Sequence, residues 1–159
     1  MTVSYKFNGA NLGSLNAQFL ESVADRQADR AASYLRRGAN INARNPDEDT
    51  ALLHAVRTND APMAGMLIQN KASLDAQDTD GATALILAAQ ANNIELCRAL
   101  IDAGADITIE DRDGRKAFDP ALRPAHPALV ALFTKPLKQI LERIPTADQI
   151  GRPPCRERA

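Results

Sequence analysis

Asp78-Thr-Asp-Gly81-Ala-Thr83-Ala-Leu85-Ile-Leu-Ala88-Ala89 decides the fold, because the chain repeats it at a fixed distance. Thr50-Ala-Leu-Leu-His-Ala-Val stands 33 residues before Thr83-Ala-Leu-Ile-Leu-Ala-Ala. Gly38-Ala-Asn-Ile-Asn stands 66 residues, two such periods, before Gly104-Ala-Asp-Ile-Thr. Lys71-Ala-Ser-Leu-Asp keeps the same phase between them. Extending the frame puts Phe19 before Leu52 and Leu85, with Phe118 after, and Ser22 before Ala55 and Ala88, with Ala121 after. Four units fit, near residues 12–44, 45–77, 78–110 and 111–134, the outer two degraded.

Each unit reads as two short helices followed by an extended loop. In the third, Thr83 has the side chain of an N-cap, accepting an orphan backbone N–H, and Leu85, Ala88 and Ala89 follow at helical spacing. The first helix is expected to end near Ala91. Asn92 and Asn93 suit a tight reversal, since Asn tolerates the left-handed conformation, and Asn59 does the same one unit earlier. A second helix from Ile94 to Ala103 buries Leu96, Leu100 and Ile101 and stops at Gly104. A pair this short cannot bury its own apolar stripe, so it must stack on its neighbours as a solenoid.

The run Asp78-x-x-Gly81-x-Thr83-x-Leu85-x-x-Ala88-Ala89, together with Gly104-Ala105-Asp106-Ile107, resembles the ankyrin repeat. The resemblance covers roughly residues 12 to 134. It implies an all-α solenoid of stacked helix-turn-helix units with β-turn or hairpin loops. Departures are informative. The family's Pro is Ala51 and Ala84 here, and its His is Leu53 and Ile86. Glu48 stands where the tip turn has Gly, and Lys71 where the helix terminator does, so strained turns are expected there, at about 1 kcal/mol each.

Outside the repeats, residues 1–13 form an N-terminal segment carrying Tyr5 and Phe7. Thr134-Lys-Pro136 has the form of an N-cap with Pro in the first turn, which predicts a separate capping helix over 135–145 with Leu137, Ile140, Leu141 and Ile144 on one face. Pro145 ends it. Residues 146–159, rich in Arg and Pro without an apolar pattern, read as a disordered tail.

The 159 residues are 45% apolar, 25% charged and 4% aromatic, with a formal net charge of −1. That fits one soluble domain. No apolar run reaches the roughly 20 residues of a membrane helix. The N-terminus has no signal-peptide core, so a cytoplasmic home is expected. A near-neutral balance argues against nucleic acid as the main partner. The abundance of Ala, and of Arg over Lys, points to a GC-rich, bacterial genome, with an immunity-type inhibitor or an effector delivered into a host as the alternative reading.

Catalytic chemistry finds no foothold. The two histidines, His54 and His126, fall in different units, no phosphate loop is present, and Cys97 takes an apolar helix position while Cys155 lies in the tail. Asp78, Asp80, Asp111 and Asp113 are the one carboxylate cluster worth weighing. By the resemblance, Asp78 and Asp111 hold tip turns and do not bind a metal. No enzyme, metal or cofactor is expected.

What remains is a surface. By the same resemblance, partners bind through the loop tips and the exposed side of the first helices, which line a concave groove. Carried over by position, this gives Arg44, Asp47, Asp49, His54, Arg57 and Thr58 in the second unit. The third contributes Gln77, Asp80, Ala82, Leu87, Gln90 and Ala91, and the fourth Glu110, Asp113, Arg115 and Arg123. The implied function is non-enzymatic binding of a protein partner of unknown identity, which the chain regulates, tethers or inhibits. The chain is expected to be a monomer, the alternative being self-association through the C-terminal helix.

Overall fold

The structure, a computed structural model, describes residues 15–121 and 127–143. Among the described residues are eight helices: α1 (Leu15–Ala24), α2 (Ala28–Arg36), α3 (Ala51–Arg57), α4 (Ala61–Gln69), α5 (Ala84–Gln90), α6 (Ile94–Asp102), α7 (Phe118–Ala121) and α8 (Pro127–Arg143). They pack as four pairs. The first helices form one row, α1, α3, α5 and α7, and the second helices another, α2, α4, α6 and α8, each touching its neighbours along the row. The solenoid expected from the 33-residue period is the observed all-α architecture.

Capping residues set where each helix begins. The Oγ1 of Thr50 accepts the Leu53 N–H at 3.4 Å, and Thr83 does the same for Ile86 at 3.4 Å. Asp60 caps α4 through the Met63 N–H at 3.2 Å, and Asn93 caps α6 through Leu96 at 3.0 Å. Each satisfies one of the donors that a helix start leaves open.

Left-handed residues set where helices reverse, and they recur at the period of the repeat. Arg26, Asn59 and Asn92 (φ 58°, 58° and 55°) turn the first helix into the second. Gly38, Lys71 and Gly104 (φ 99°, 66° and 97°) end the second helix, and Glu48, Gly81 and Gly114 (φ 64°, 77° and 75°) shape the tip turns. Glu48 and Lys71 therefore do adopt the conformation that disfavours a side chain. Each tip closes with one bridge, Arg44 to Thr50, Gln77 to Thr83 and Glu110 to Lys116, and no longer strand forms among the described residues.

The core runs the length of the stack through Phe19, Leu52, Leu53, Leu85, Ile86, Leu67, Leu100, Leu129 and Phe133, all under 2% exposed. Leu53 and Ile86, at the family's His position, are packed inside it. Alanines 55, 88 and 89 are equally buried, and their size lets the first helices approach closely. Polar bonds join the units outside this core. The Ser73 N–H donates to Asn42 Oδ1 and, 33 residues on, the Asp106 N–H donates to Asp75 Oδ1, both at 2.8 Å.

Two expectations about the C-terminal end need correction. The helix predicted over 135–145 is not separate: α8 begins at Pro127, one period after Ile94, and runs unbroken through Pro136 to Arg143. It is the second helix of the fourth unit, lengthened. Thr134 does not cap it, since its hydroxyl donates to the Ala131 carbonyl at 2.8 Å inside the helix. The 1–13 segment, Arg123, His126 and the 146–159 tail lie outside the described residues.

Candidate functional site

The face expected to bind is built from the three tip turns and the exposed sides of α3 and α5. Each tip is an Asx turn. Asp78 Oδ1 accepts the N–H groups of Asp80 and Ala82 at 2.9 and 2.8 Å, and Asp111 Oδ1 those of Asp113 and Arg115 at 3.0 and 2.9 Å. In the second unit Asn45 takes this place, accepting from Asp47 and Asp49 at 3.0 and 2.9 Å. Asp78 and Asp111 are thus buried parts of the scaffold. Burial opposes the charge on Asp111, but the Arg115 and Asp113 N–H groups and the Arg115 guanidinium outweigh it and hold its carboxyl below the ordinary range.

The tips are also tied to each other. Arg44 donates to the Glu48 carbonyl and, at 3.0 Å, to the carbonyl of Gln77. Gln77 repeats the pattern one unit later, donating to Gly81 at 2.7 Å and to Glu110 at 3.1 Å. The Arg112 N–H donates to the Asp80 carbonyl at 2.9 Å. This brings the backbones so close that a Cβ at Gly81 would stand 3.0 Å from the Arg112 nitrogen.

Against this frame the expected site residues divide. Asp47, Asp80, Gln90 and Ala91 are exposed, and Leu87 is half-buried against the core. Arg44 and Gln77 are exposed, but their donors serve the stack. Asp113 is exposed and pairs with Arg115 at 2.8 Å, while Arg115 also holds Asp111 at 2.9 Å. Glu110 pairs with Lys116 at 3.0 Å. Thr58 is half-buried, its hydroxyl on the His54 carbonyl at 3.0 Å and its own carbonyl accepting from Arg26 at 2.9 Å. Ala82 is buried and so is not part of the surface.

Asp49 departs most from its expected place. Its carboxylate is buried, 5% exposed, and receives Arg57 at 3.3 Å, while the same guanidinium reaches Asp78 at 2.7 Å. Burial pushes the Asp49 carboxyl above its ordinary range; Arg57 pulls it down and the nearby Asp78 pushes it up. Burial likewise lowers His54, against the opposing pull of Asp49. Asp49 and His54 line a cavity of about 20 Å³ with Leu20, Val23 and Ala24 of α1 and with Asn45 and Thr50. The α1 residues and Asn45 were not expected at the site, although the frame that aligns Asn45 with Asp78 points to that residue.

Burial pushes the Cys97 thiol up to about 12, so it is not a nucleophile at neutral pH. Among the described residues no three His, Cys, Asp or Glu side chains come together as metal ligands, and no helix is long and apolar enough to cross a membrane.

Comparison with known proteins agrees with the geometry. A family model described as ankyrin repeats, in three copies, matches residues 20–111, more than half of the chain. No curated protein matches it.

Proposed function

The chain belongs to the ankyrin repeat family, whose repeats are generally protein–protein interaction modules, and from that premise we propose that it binds one protein partner through the face formed by its tip turns and first helices. It thereby regulates, tethers or inhibits that partner, and it acts in the cytoplasm as a binding protein without catalysis. One observation carries this reading: this face presents side chains that the stack does not use. Asp47 and Asp80 are exposed and take no part in the salt bridges among the described residues. Gln90 and Ala91 are exposed as well and differ from their counterparts Arg57 and Thr58. Surface that varies between otherwise equivalent units is free to specify a partner.

The test is affinity capture from source lysate with the native chain and with a variant carrying Asp47→Lys, Asp80→Lys and Gln90→Glu, its fold checked by circular dichroism. A protein held by the native chain and lost from the folded variant supports the reading. Retention by both moves the site to the second-helix face.

A second reading rests on Leu141, which is 65% exposed near the end of α8. Exposed apolar surface of this kind supports self-association. Light scattering separates the two readings, since a dimer dissociated by Leu141→Asp favours self-association and a monomer removes it.

A further inference from the structure

Each tip aspartate is paired with an arginine, but the arginine does not come from the same place. In the fourth unit both belong to one tip: Arg115, four residues on, holds Asp111 Oδ2 at 2.9 Å. The corresponding place in the third unit is Ala82. Asp78 Oδ2 instead takes the guanidinium of Arg57, at 2.7 Å, from the end of α3 in the second unit. In that unit the tip residue is the neutral Asn45, yet Asp49 brings a buried carboxylate, which the same Arg57 Nη2 reaches at 3.3 Å.

One guanidinium thus serves carboxylates of two successive units. Both are buried, their side chains 5% and 2% exposed, and the charge on Asp78 disfavours that on Asp49. With Arg57 in place the two carboxylates are held to a common cation. Without it, two buried like charges are left close together, which is the costlier arrangement. The other ion pairs among the described residues close single tips, Arg115 with Asp111 and Asp113 and Lys116 with Glu110. The pair of Arg57 and Asp78 is the one that joins the helix of one unit to the tip of the next.

The second unit is also the one that such a tie serves most. Glu48 and Lys71 stand at φ 64° and 66° where the third unit has Gly81 and Gly104, a conformation that disfavours a side chain. In a stack of repeats the stability of a unit is its own plus that of its interfaces. A unit weak in its own turns depends on its neighbour. The first unit is fastened to the second, through Arg26 on the Thr58 carbonyl and the Ser73 N–H on Asn42.

We propose that Arg57 is a latch: its guanidinium, shared by Asp49 and Asp78, locks the second unit onto the third, and the first two units open as a block when it is released. This goes beyond the binding reading and does not rest on it. Arg57 is then a positioning residue that keeps the tips of the second and third units in register.

The test is hydrogen exchange of the full chain, read by mass spectrometry, in Asp78→Asn, in Arg57→Gln and in the double variant. Asn at 78 keeps the tip turn, as Asn45 does one unit earlier, and Gln at 57 copies Gln90. In Asp78→Asn the expected result is exchange at least about tenfold faster in α3 and α4, although the substitution lies in the third unit, with α5 and α6 changed by less than about twofold. Arg57→Gln should act in the same way, and the double variant should exchange no faster than Arg57→Gln, because both substitutions break one bond. If Arg57→Gln does not fold, adding Asp49→Ala, which copies Ala82, removes a buried carboxylate and supplies the comparison. Unchanged α3 and α4 in Asp78→Asn would show that Arg57 serves Asp49 alone and would overturn the proposal. So would equal acceleration of all four helices, or effects of the two substitutions that add.

Discussion

Lys71 has φ 66° at the place where Gly38 and Gly104 have 99° and 97°, and no atom lies within 4 Å of where a Cβ would stand at either glycine. The lysine therefore fits without a clash, and its disadvantage is conformational alone, about 1 kcal/mol. Lys71→Gly should raise the thermal midpoint by about 2–4 °C, read by circular dichroism; an unchanged or lowered midpoint contradicts a left-handed Lys71. Glu48→Gly should act in the same direction for the same reason. Gly81→Ala should do the opposite and lose more, because the new methyl meets the Arg112 nitrogen at 3.0 Å in addition to the positive φ. Urea denaturation of the three variants orders them. His54 gives a pH signature. Burial lowers its pKa in the folded chain, so between the folded value and about 6.5 the unfolded chain binds more protons and stability rises with pH. Its contribution is complete above about 6.5 and is lost as pH falls through the folded value. His54→Leu, copying Leu87, should flatten stability over that window in denaturant melts at stepped pH, and an unaltered slope would contradict the burial of His54.

At the scale of elements, the period predicted boundaries well wherever a capping side chain marked them. Thr83 caps α5 as its position suggested, whereas of the two asparagines expected to turn the chain only Asn92 is left-handed and Asn93, at φ −89°, caps α6; the helix ends differ from the expected Ala91 and Ala103 by one residue. The last helix was misread because Thr-x-Pro is a strong local signature of a helix start, and it outweighed the phase of the repeat. One period after Ile94 stands Pro127, and the repeat was the better guide. Continuity of α8 has a direct consequence. Inside a helix Pro136 removes a backbone bond and crowds the preceding turn, so Pro136→Ala should stabilise the chain, while Thr134→Ala should change it by less than about 0.5 kcal/mol. A helix starting at Thr134 requires the reverse, with a loss of about 1 kcal/mol from the threonine variant. Equilibrium urea melts decide between them. The burial of Asp49 and of Ala82, which occupy the same place in successive units, was not readable, because the positional carry-over from the resemblance put both in the groove and only the packed structure shows them inside the stack. The sharing of Arg57 between Asp49 and Asp78 was not readable, because it joins side chains from two units whose approach only the packed structure defines.

Across the whole molecule, two kinds of side chain share the face of tips and first helices. Arg44, Gln77 and Arg115 bind carbonyls or carboxylates within the stack and hold one unit against the next or close a tip. Asp47, Asp80 and Gln90 are exposed, on a frame whose turns are set by backbone N–H bonds to the Asn45 and Asp78 side chains. Binding on such a frame requires little ordering of the face itself, which favours affinity. The most direct measurement is hydrogen exchange of the chain alone and in complex with its captured partner. Protection concentrated in residues 44–58 and 77–91, with α4 and α6 unchanged, is the predicted result. Protection confined to α4 and α6 would place the partner on the opposite row of helices and contradict the account.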